Sequence, residues 1–398
     1  MTITPAMQQF YDLKDQVPDS LLFFRMGDFY ELFWEDAHIA HRVLGISVTT
    51  RNKNADNPVP LAGIPYHAKS KYLPQLVAAG YKVAIAEQVS DPKLKGIVKR
   101  EIVRIVTPST LELEWEEYSN IWSSNILVSI TEDNWGFWLS YLDINSNKWF
   151  AWEFHNFEQL KTELYKISPK EVILEKSLFS HQEIKEVLEK KYGLNIYYFE
   201  NTKKTKQILC NHFWVTNLIW FWLENKDKSI SASVLLLKYL SHNQKTDLKF
   251  LQTISFMSFD LYMNLDESTI FSLDLLYNLS TKSATLWTLF WVLNKTKTWA
   301  WNRMLREQII KPLQDLDQII ERHKFIAEFY KNKILLDEIR EKLWYVADID
   351  SILNRVALNR TNPRDLLNLK RSLQSILEVT DIINQKGSNT LKKIIEVK

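Results

Sequence analysis

The β-strand pattern in this chain stops near residue 216, and long amphipathic helices take its place from there to the end. Before that point short apolar runs such as "LLFFRM", "YKVAIAEQV" and "NILVSI" alternate with helical periodicity. A length of 398 residues exceeds what one compact core usually holds. We therefore predict a multi-domain chain, α/β in its N-terminal part and all-α in its C-terminal part.

Shifts in pattern predict the domain boundaries. Residues 1–112 indicate a mixed-sheet α/β domain, and residues 113–122 an acidic linker. Residues 123–215 indicate a second α/β domain, in which three strands precede alternating helices and strands. Residues 216–398 indicate a helical segment with its own apolar seam.

Composition excludes several protein classes. The single cysteine, Cys210, excludes an intramolecular disulfide framework and is most simply a small buried hydrophobe. The N-terminus has no basic segment followed by an apolar one, and no apolar run approaches the roughly 18 residues of a membrane span, so we expect a cytoplasmic protein. A formal charge of +2 neither supports nor excludes a nucleic-acid partner.

Several motifs that carry chemistry are absent from the sequence. It contains no G-x-x-x-x-G-K-[ST], G-x-G-x-x-G, H-E-x-x-H or G-x-S-x-G, which argues against an NTPase, a dehydrogenase, a zinc protease and an α/β-hydrolase. Asp143, at the end of a predicted strand, suggests a carboxylate-metal nuclease as a minor alternative, although no partner acid accompanies it. We expect no catalytic residue, metal site or cofactor in this chain.

The stretch "RMGDFYELF" admits a purely structural interpretation. It predicts a strand that turns at Gly27 and a helix over residues 28–44, with Asp28 as N-cap and Glu31 completing a capping box. On such a helix Phe29 lies near the face of Phe33, at the rim of the core. The local pattern alone indicates no function.

Four motifs occur in one order: "RMGDFYELF", "AGIPYHA", "VAIAEQVSDP" and "REIVRIVTPST". Together with "SFDLYMNLDESTIFSLDLL", "NRMLREQIIKPL" and "RTNPRDLLNLKRSL", they resemble the DNA mismatch repair MutS family from Pro5 to near residue 380. The resemblance implies a mismatch-recognition domain, a ribonuclease H-like connector and the start of a helical core and lever.

The resemblance also implies a site. Phe29 would wedge into the minor groove and stack on a mispaired base, and Glu31 would hydrogen-bond that base. Basic residues of the nearby polar loops are candidate phosphate contacts, with a solvated surface charge as the equal alternative for each: Arg51, Lys53, Lys95, Lys99 and Arg100.

The implied partners are double-stranded DNA with mismatches or small loops, a second copy of the full-length protein, and a MutL-like protein at the connector. The family's clamp, the rest of its core and its ATPase, which uses ATP and Mg, would follow residue 398, so we expect an incomplete chain that does not hydrolyse ATP. The alternative is an interaction scaffold that has lost DNA binding.

Tryptophan and glycine occur in unusual proportion, with 15 Trp and 8 Gly. By the resemblance, four tryptophans stand where the family has glycine: Trp220, Trp222, Trp301 and Trp344. Our hypothesis is that many of the tryptophans are glycines in the natural product, from a reassigned stop codon.

Overall fold

The computed structural model describes residues 4–51, 58–90, 98–111, 125–133, 136–200, 205–246, 248–257, 262–276 and 286–396. Mixed sheets come first and helices dominate afterwards, as the sequence pattern predicts. The chain divides into two compact units. The first contains residues 1–134, 138–144 and 169–253, and the second contains residues 135–137, 145–168 and 254–398.

The first sheet has six strands and three flanking helices. Its elements are α1 (Pro5–Lys14), β1 (Ser20–Met26), β2 (Phe29–Phe33), α2 (Glu35–Leu44), β3 (Thr49–Arg51), β4 (Val59–Pro65), α3 (Lys69–Ala78), β5 (Lys82–Gln88) and β6 (Arg100–Val106). The strand order is β3-β4-β2-β1-β5-β6, with β1 and β5 parallel and every other neighbouring pair antiparallel. Phe10 and Leu13 of α1 pack on one face, while α2 and α3 cover the other.

The prediction of a helix over residues 28–44 is wrong in its first part. Residues 29–33 form strand β2, which pairs with β1 on one side and β4 on the other, and α2 begins only at Glu35. Two neighbouring strands satisfy the backbone groups of β2, and the alternating Tyr30 and Leu32 side chains enter the core. The capping box of Asp28 and Glu31 therefore does not form, since Glu31 lies inside a strand.

A second sheet follows. Its elements are β7 (Ile126–Asp133), β8 (Gly136–Asp143), β9 (Lys148–Phe154), α4 (Phe157–Ile167), β10 (Glu171–Glu175), α5 (Gln182–Glu186), β11 (Asn195–Phe199) and β12 (Ser255–Phe256). The strand order is β11-β10-β7-β8-β9-β12. β10 runs parallel to both β7 and β11, and β12 runs parallel to β9. The short strand β12 corrects the expectation that strands end near residue 216.

Ten further helices complete the described chain: α6 (Thr205–Phe213), α7 (Asp227–Gln244), α8 (Glu267–Ser272), α9 (Leu289–Leu293), α10 (Trp299–Ile310), α11 (Leu316–Lys331), α12 (Lys333–Leu343), α13 (Ile349–Ala357), α14 (Pro363–Lys386) and α15 (Asn389–Glu396). Leu335, Ile339, Ile383 and Leu391 form a core among the last of them. The segment "TLFWVLNKTKTWAWNRMLREQII" forms two helices, α9 and α10, because Thr288 and Thr298 each cap a separate helix through the side chain.

The helix α7 packs on the second sheet. The Ser129 hydroxyl of β7 donates to the Ala232 carbonyl of α7 at 2.7 Å, and the first compact unit runs to residue 253. The domain boundary predicted at residue 215 would assign this helix to the following segment, and that boundary stays a prediction. Cys210 of α6 is buried, as expected for a small hydrophobe.

A buried carboxylate links the two sheets inside the first unit. Glu171, at the start of β10, is fully buried. It accepts hydrogen bonds from the Ser109 amide at 3.1 Å, the Ser109 hydroxyl at 2.5 Å and the Tyr239 hydroxyl. Ser109 follows β6 and Tyr239 lies in α7, so one side chain joins three segments distant in sequence.

Candidate nucleic-acid interface

The candidate site lies on the hairpin of β1 and β2. Gly27 and Asp28 form a two-residue turn between the paired residues Met26 and Phe29. Gly27 has φ +57°, a conformation that glycine adopts at no steric cost. The tight turn therefore fixes Phe29 as the first residue of β2, directly after the hairpin tip.

Phe29 exposes its ring although other large residues of β2 are buried. It is 48% exposed, whereas Tyr30 and Leu32 face the core. Phe29 and Glu31 share one face of β2, because successive strand residues alternate. Gly63 of β4 lies opposite Glu31, and a Cβ at Gly63 would lie 3.6 Å from the Phe29 ring. This glycine leaves the sheet surface beside Phe29 open.

Side chains on the other face brace the hairpin. The Arg25 guanidinium lies 3.9 Å from the centroid of the Tyr66 ring and 3.9 Å from the Glu87 carboxylate. The Tyr30 hydroxyl donates to Glu87, and burial, followed by this hydrogen bond and the Glu87 charge, raises the pKa of Tyr30. The phenol therefore stays protonated and can keep donating to Glu87 at neutral pH.

Tyr66 adds an exposed aromatic ring that the sequence analysis did not single out. It follows Pro65, the residue paired with Phe29, and its amide donates to the Asp28 carbonyl at 2.9 Å. The motif "AGIPYHA" contains it, but only the pairing of β2 with β4 brings it to the hairpin.

The five predicted phosphate contacts have different positions. Lys99 is exposed and forms an ion pair with Glu101. Arg100 is buried, and its guanidinium donates to the carbonyls of Arg25 and Val98, so it supports the hairpin instead of facing solvent. Lys53 and Lys95 lie outside the described residues, as does the side chain of Arg51.

Asp143, the candidate of the nuclease alternative, lies at the end of β8 and is buried. Burial lowers the pKa of Lys170 to about 8, and the Asp143 charge acts in the opposite direction. The part of the chain that the structure describes contains no group of three or more His, Cys, Asp and Glu residues able to hold a metal ion. No helix within that part is long and apolar enough to cross a membrane.

Comparison with known proteins matches three family models in order. MutS domain I matches residues 4–114, MutS domain II residues 125–252, and MutS domain III residues 268–396.

Curated relatives match the same span. The chain is 37% identical over 395 residues to a DNA mismatch repair protein MutS of Streptococcus thermophilus, covering 99% of this chain and 44% of that protein. It is 36% identical over 401 residues to the protein of that name from Lachnoclostridium phytofermentans, covering 99% and 42% respectively. The chain thus spans less than half the length of these relatives.

Proposed function

Because this chain belongs to the MutS family of DNA mismatch repair proteins, we propose that it binds double-stranded DNA at mismatches or small loops. Phe29 wedges between bases from the minor groove and stacks on the mispaired base. Glu31 accepts a hydrogen bond from that base. The proposal concerns DNA binding alone.

The observation that carries the proposal is the half-exposed ring of Phe29 on a braced strand. A phenylalanine that could be buried gains about 1.5–3 kcal/mol by leaving water, so a fold that exposes it forgoes that gain at this position. The two-residue turn and the pairing with β4 fix the backbone of Phe29. A wedge needs this rigidity, because a flexible ring would lose entropy on insertion.

Discrimination follows from the deformability of DNA. An apolar wedge must unstack a base step and kink the duplex, at a cost of a few kcal/mol for a paired step. A mispaired step has already lost part of its pairing and stacking, so the same kink costs less there. Glu31 repels phosphates, and it therefore favours a bound geometry in which its carboxylate faces a base edge.

The second sheet supports a ribonuclease H-like connector. Three strands in sequence order precede α4, and β10 and β11 then extend the sheet on the far side of β7, parallel to it and to each other. The resemblance further implies that a MutL-like protein binds this connector and that the full-length protein is a homodimer that uses ATP and Mg. These partners remain proposals.

Fluorescence anisotropy tests the proposal. One labelled duplex carries a single G·T mismatch and the other is fully paired, and each is titrated with the chain at low salt. We expect tighter binding of the mismatched duplex. Stacking contributes about 1–3 kcal/mol per base, so Phe29→Ala should reduce that preference by roughly fivefold or more.

Phe179→Ala is the matched control, since Phe179 is an exposed phenylalanine outside the hairpin. It should leave the preference unchanged, and circular dichroism should show both variants folded. Equal binding of the two duplexes by the unmodified chain would contradict the proposal. Absence of any salt-dependent DNA binding would instead favour the scaffold alternative.

A further inference from the structure

Three tryptophans have a backbone conformation that suits glycine. Trp214, Trp222 and Trp287 have φ of +58°, +58° and +63°. Their side chains are 83%, 80% and 66% exposed. In this region the Cβ of an L-residue crowds the backbone, and a bulky residue there is a genuine outlier. The indoles of Trp214 and Trp222, which are almost fully exposed, gain little packing to offset that strain, whereas the Trp287 ring lies 5.5 Å from the Trp291 ring.

Backbone hydrogen bonds at Trp214 and Trp222 form a known motif that ends a helix. The Trp214 amide donates to the Asn211 carbonyl and the Val215 amide to the Cys210 carbonyl, closing the end of α6. The Trp222 amide donates likewise to Ile219, and the Leu223 amide to Leu218. This pair of bonds is the Schellman motif, whose left-handed residue is usually glycine.

The chain uses glycine, asparagine or aspartate for the same motif elsewhere. Gly80, with φ +90°, donates to Val77 while Tyr81 donates to Leu76. Asn359 and Asp274 occupy the corresponding position in two further motifs of this kind. Asparagine and aspartate tolerate the left-handed region, whereas tryptophan has no such property.

We infer that the natural form of this protein carries glycine at positions 214, 222 and 287. The inference is independent of the proposed function. It also accounts for part of the unusual proportion of 15 tryptophans to 8 glycines, since each such exchange adds one tryptophan and removes one glycine. A codon that the source cell decodes as glycine, translated instead as tryptophan, produces this exchange. At Trp222 both the backbone conformation and the family resemblance indicate glycine.

Two other tryptophans are distinct from this set. Trp34 also has positive φ, but its ring packs at 5.0 Å from Tyr11 and 5.4 Å from Phe10, so its side chain contributes contacts. Trp149 is buried in strand β9.

Peptide mass spectrometry of the protein isolated from its source cells decides the matter. We expect glycine at positions 214, 222 and 287 and tryptophan at position 149. Tryptophan at the three positions would overturn the inference, whatever the stability measurements give.

Stability measurements on the chain with the printed sequence test the physical argument separately. Trp214→Gly and Trp222→Gly should each raise the folding equilibrium constant by roughly fivefold, by removing left-handed strain. The matched control is Trp291→Gly, because Trp291 is an exposed tryptophan inside the regular helix α9, where glycine should lower the constant. Loss of stability in both test variants, as in the control, would overturn the argument from left-handed strain.

Discussion

Two glycines beside Phe29 illustrate how one residue type serves different purposes. Gly27 needs φ +57° for the turn before Phe29. Gly63 has no left-handed φ, and an added Cβ there would make only ordinary contact with the Phe29 ring at 3.6 Å. The backbone conformation therefore requires glycine at position 27, whereas Gly63 only leaves the sheet surface beside Phe29 open.

We predict that alanine destabilises the fold at Gly27 but not at Gly63. Gly27→Ala should lower the free energy of unfolding by about 1 kcal/mol, because alanine disfavours a positive φ. Gly63→Ala should leave it unchanged or raise it by up to about 1 kcal/mol, since glycine weakens a strand. Urea unfolding of both variants measures the difference, and equal destabilisation would contradict the argument.

Lys170 should make the free energy of unfolding depend on pH in the alkaline range. Its folded pKa is about 8, against 10.5 ordinarily, and its ammonium lies 2.6 Å from the Asn125 amide oxygen. Between these pH values the unfolded chain holds a proton that the folded chain has released. The free energy of unfolding should therefore rise with pH across this window.

The measurement compares unfolding at pH 7.5 and pH 10 for the unmodified chain and for Lys170→Met. We expect the rise, on the order of 1–3 kcal/mol, to be missing in the variant. Lys176→Met is the control at an exposed lysine. An unchanged pH response in Lys170→Met would refute the assignment.

At the scale of elements, local pattern predicted most strands and helices. The apolar runs "LLFFRM", "YKVAIAEQV" and "NILVSI" correspond to β1, β5 and β7, as the sequence pattern predicts. Strand β2 was missed because Tyr30, Phe33 and Ala37 also recur at helical spacing, and only the pairing with β1 and β4 selects the strand.

Strand β4 was missed for a different reason. Pro60, Gly63 and Pro65 lower its strand propensity, yet tertiary pairing places it between β2 and β3. The position of Phe29 depends on this strand. Recognition of the site residue thus came from the family motif, and its exposure could not be predicted from periodicity.

A prediction at this scale concerns the junction between β10, α7 and the segment after β6. Tyr239→Phe removes a donor from the fully buried Glu171 carboxylate and should lower the free energy of unfolding by about 1–3 kcal/mol. Tyr345→Phe, at an exposed tyrosine, should change it by less than about 0.5 kcal/mol. Thermal unfolding of both variants tests this, and equal stability of the two would count against the network.

For the whole molecule, the order of α/β and helical regions was predictable, because a change of periodicity is visible in sequence. The side-chain contacts between distant segments were not predictable. Glu171, Ser109 and Tyr239 come into contact from three segments distant in sequence, and no local sequence pattern predicts that contact. Arg100 was a candidate phosphate contact, with a solvated surface charge as the equal alternative, but the fold encloses its guanidinium, which a count of charges cannot reveal.

A net charge of +2 predicts that DNA affinity depends on a few local cations. Affinity should fall log-linearly with salt, and Lys99→Ala should reduce that slope by about 1 if Lys99 contacts a phosphate. Lys176→Ala is the control, because Lys176 is also exposed and ion-paired. Identical slopes for both variants would remove Lys99 from the proposed interface.

The only cysteine of the sequence, Cys210, is buried in α6. A thiol reagent can reach its sulfur only when that helix opens, so the rate of labelling in native buffer measures the free energy of local opening. No engineered probe is needed, and no second thiol competes for the reagent. The labelling rate of Cys210 therefore reports the local opening of α6, and it can be measured with and without DNA.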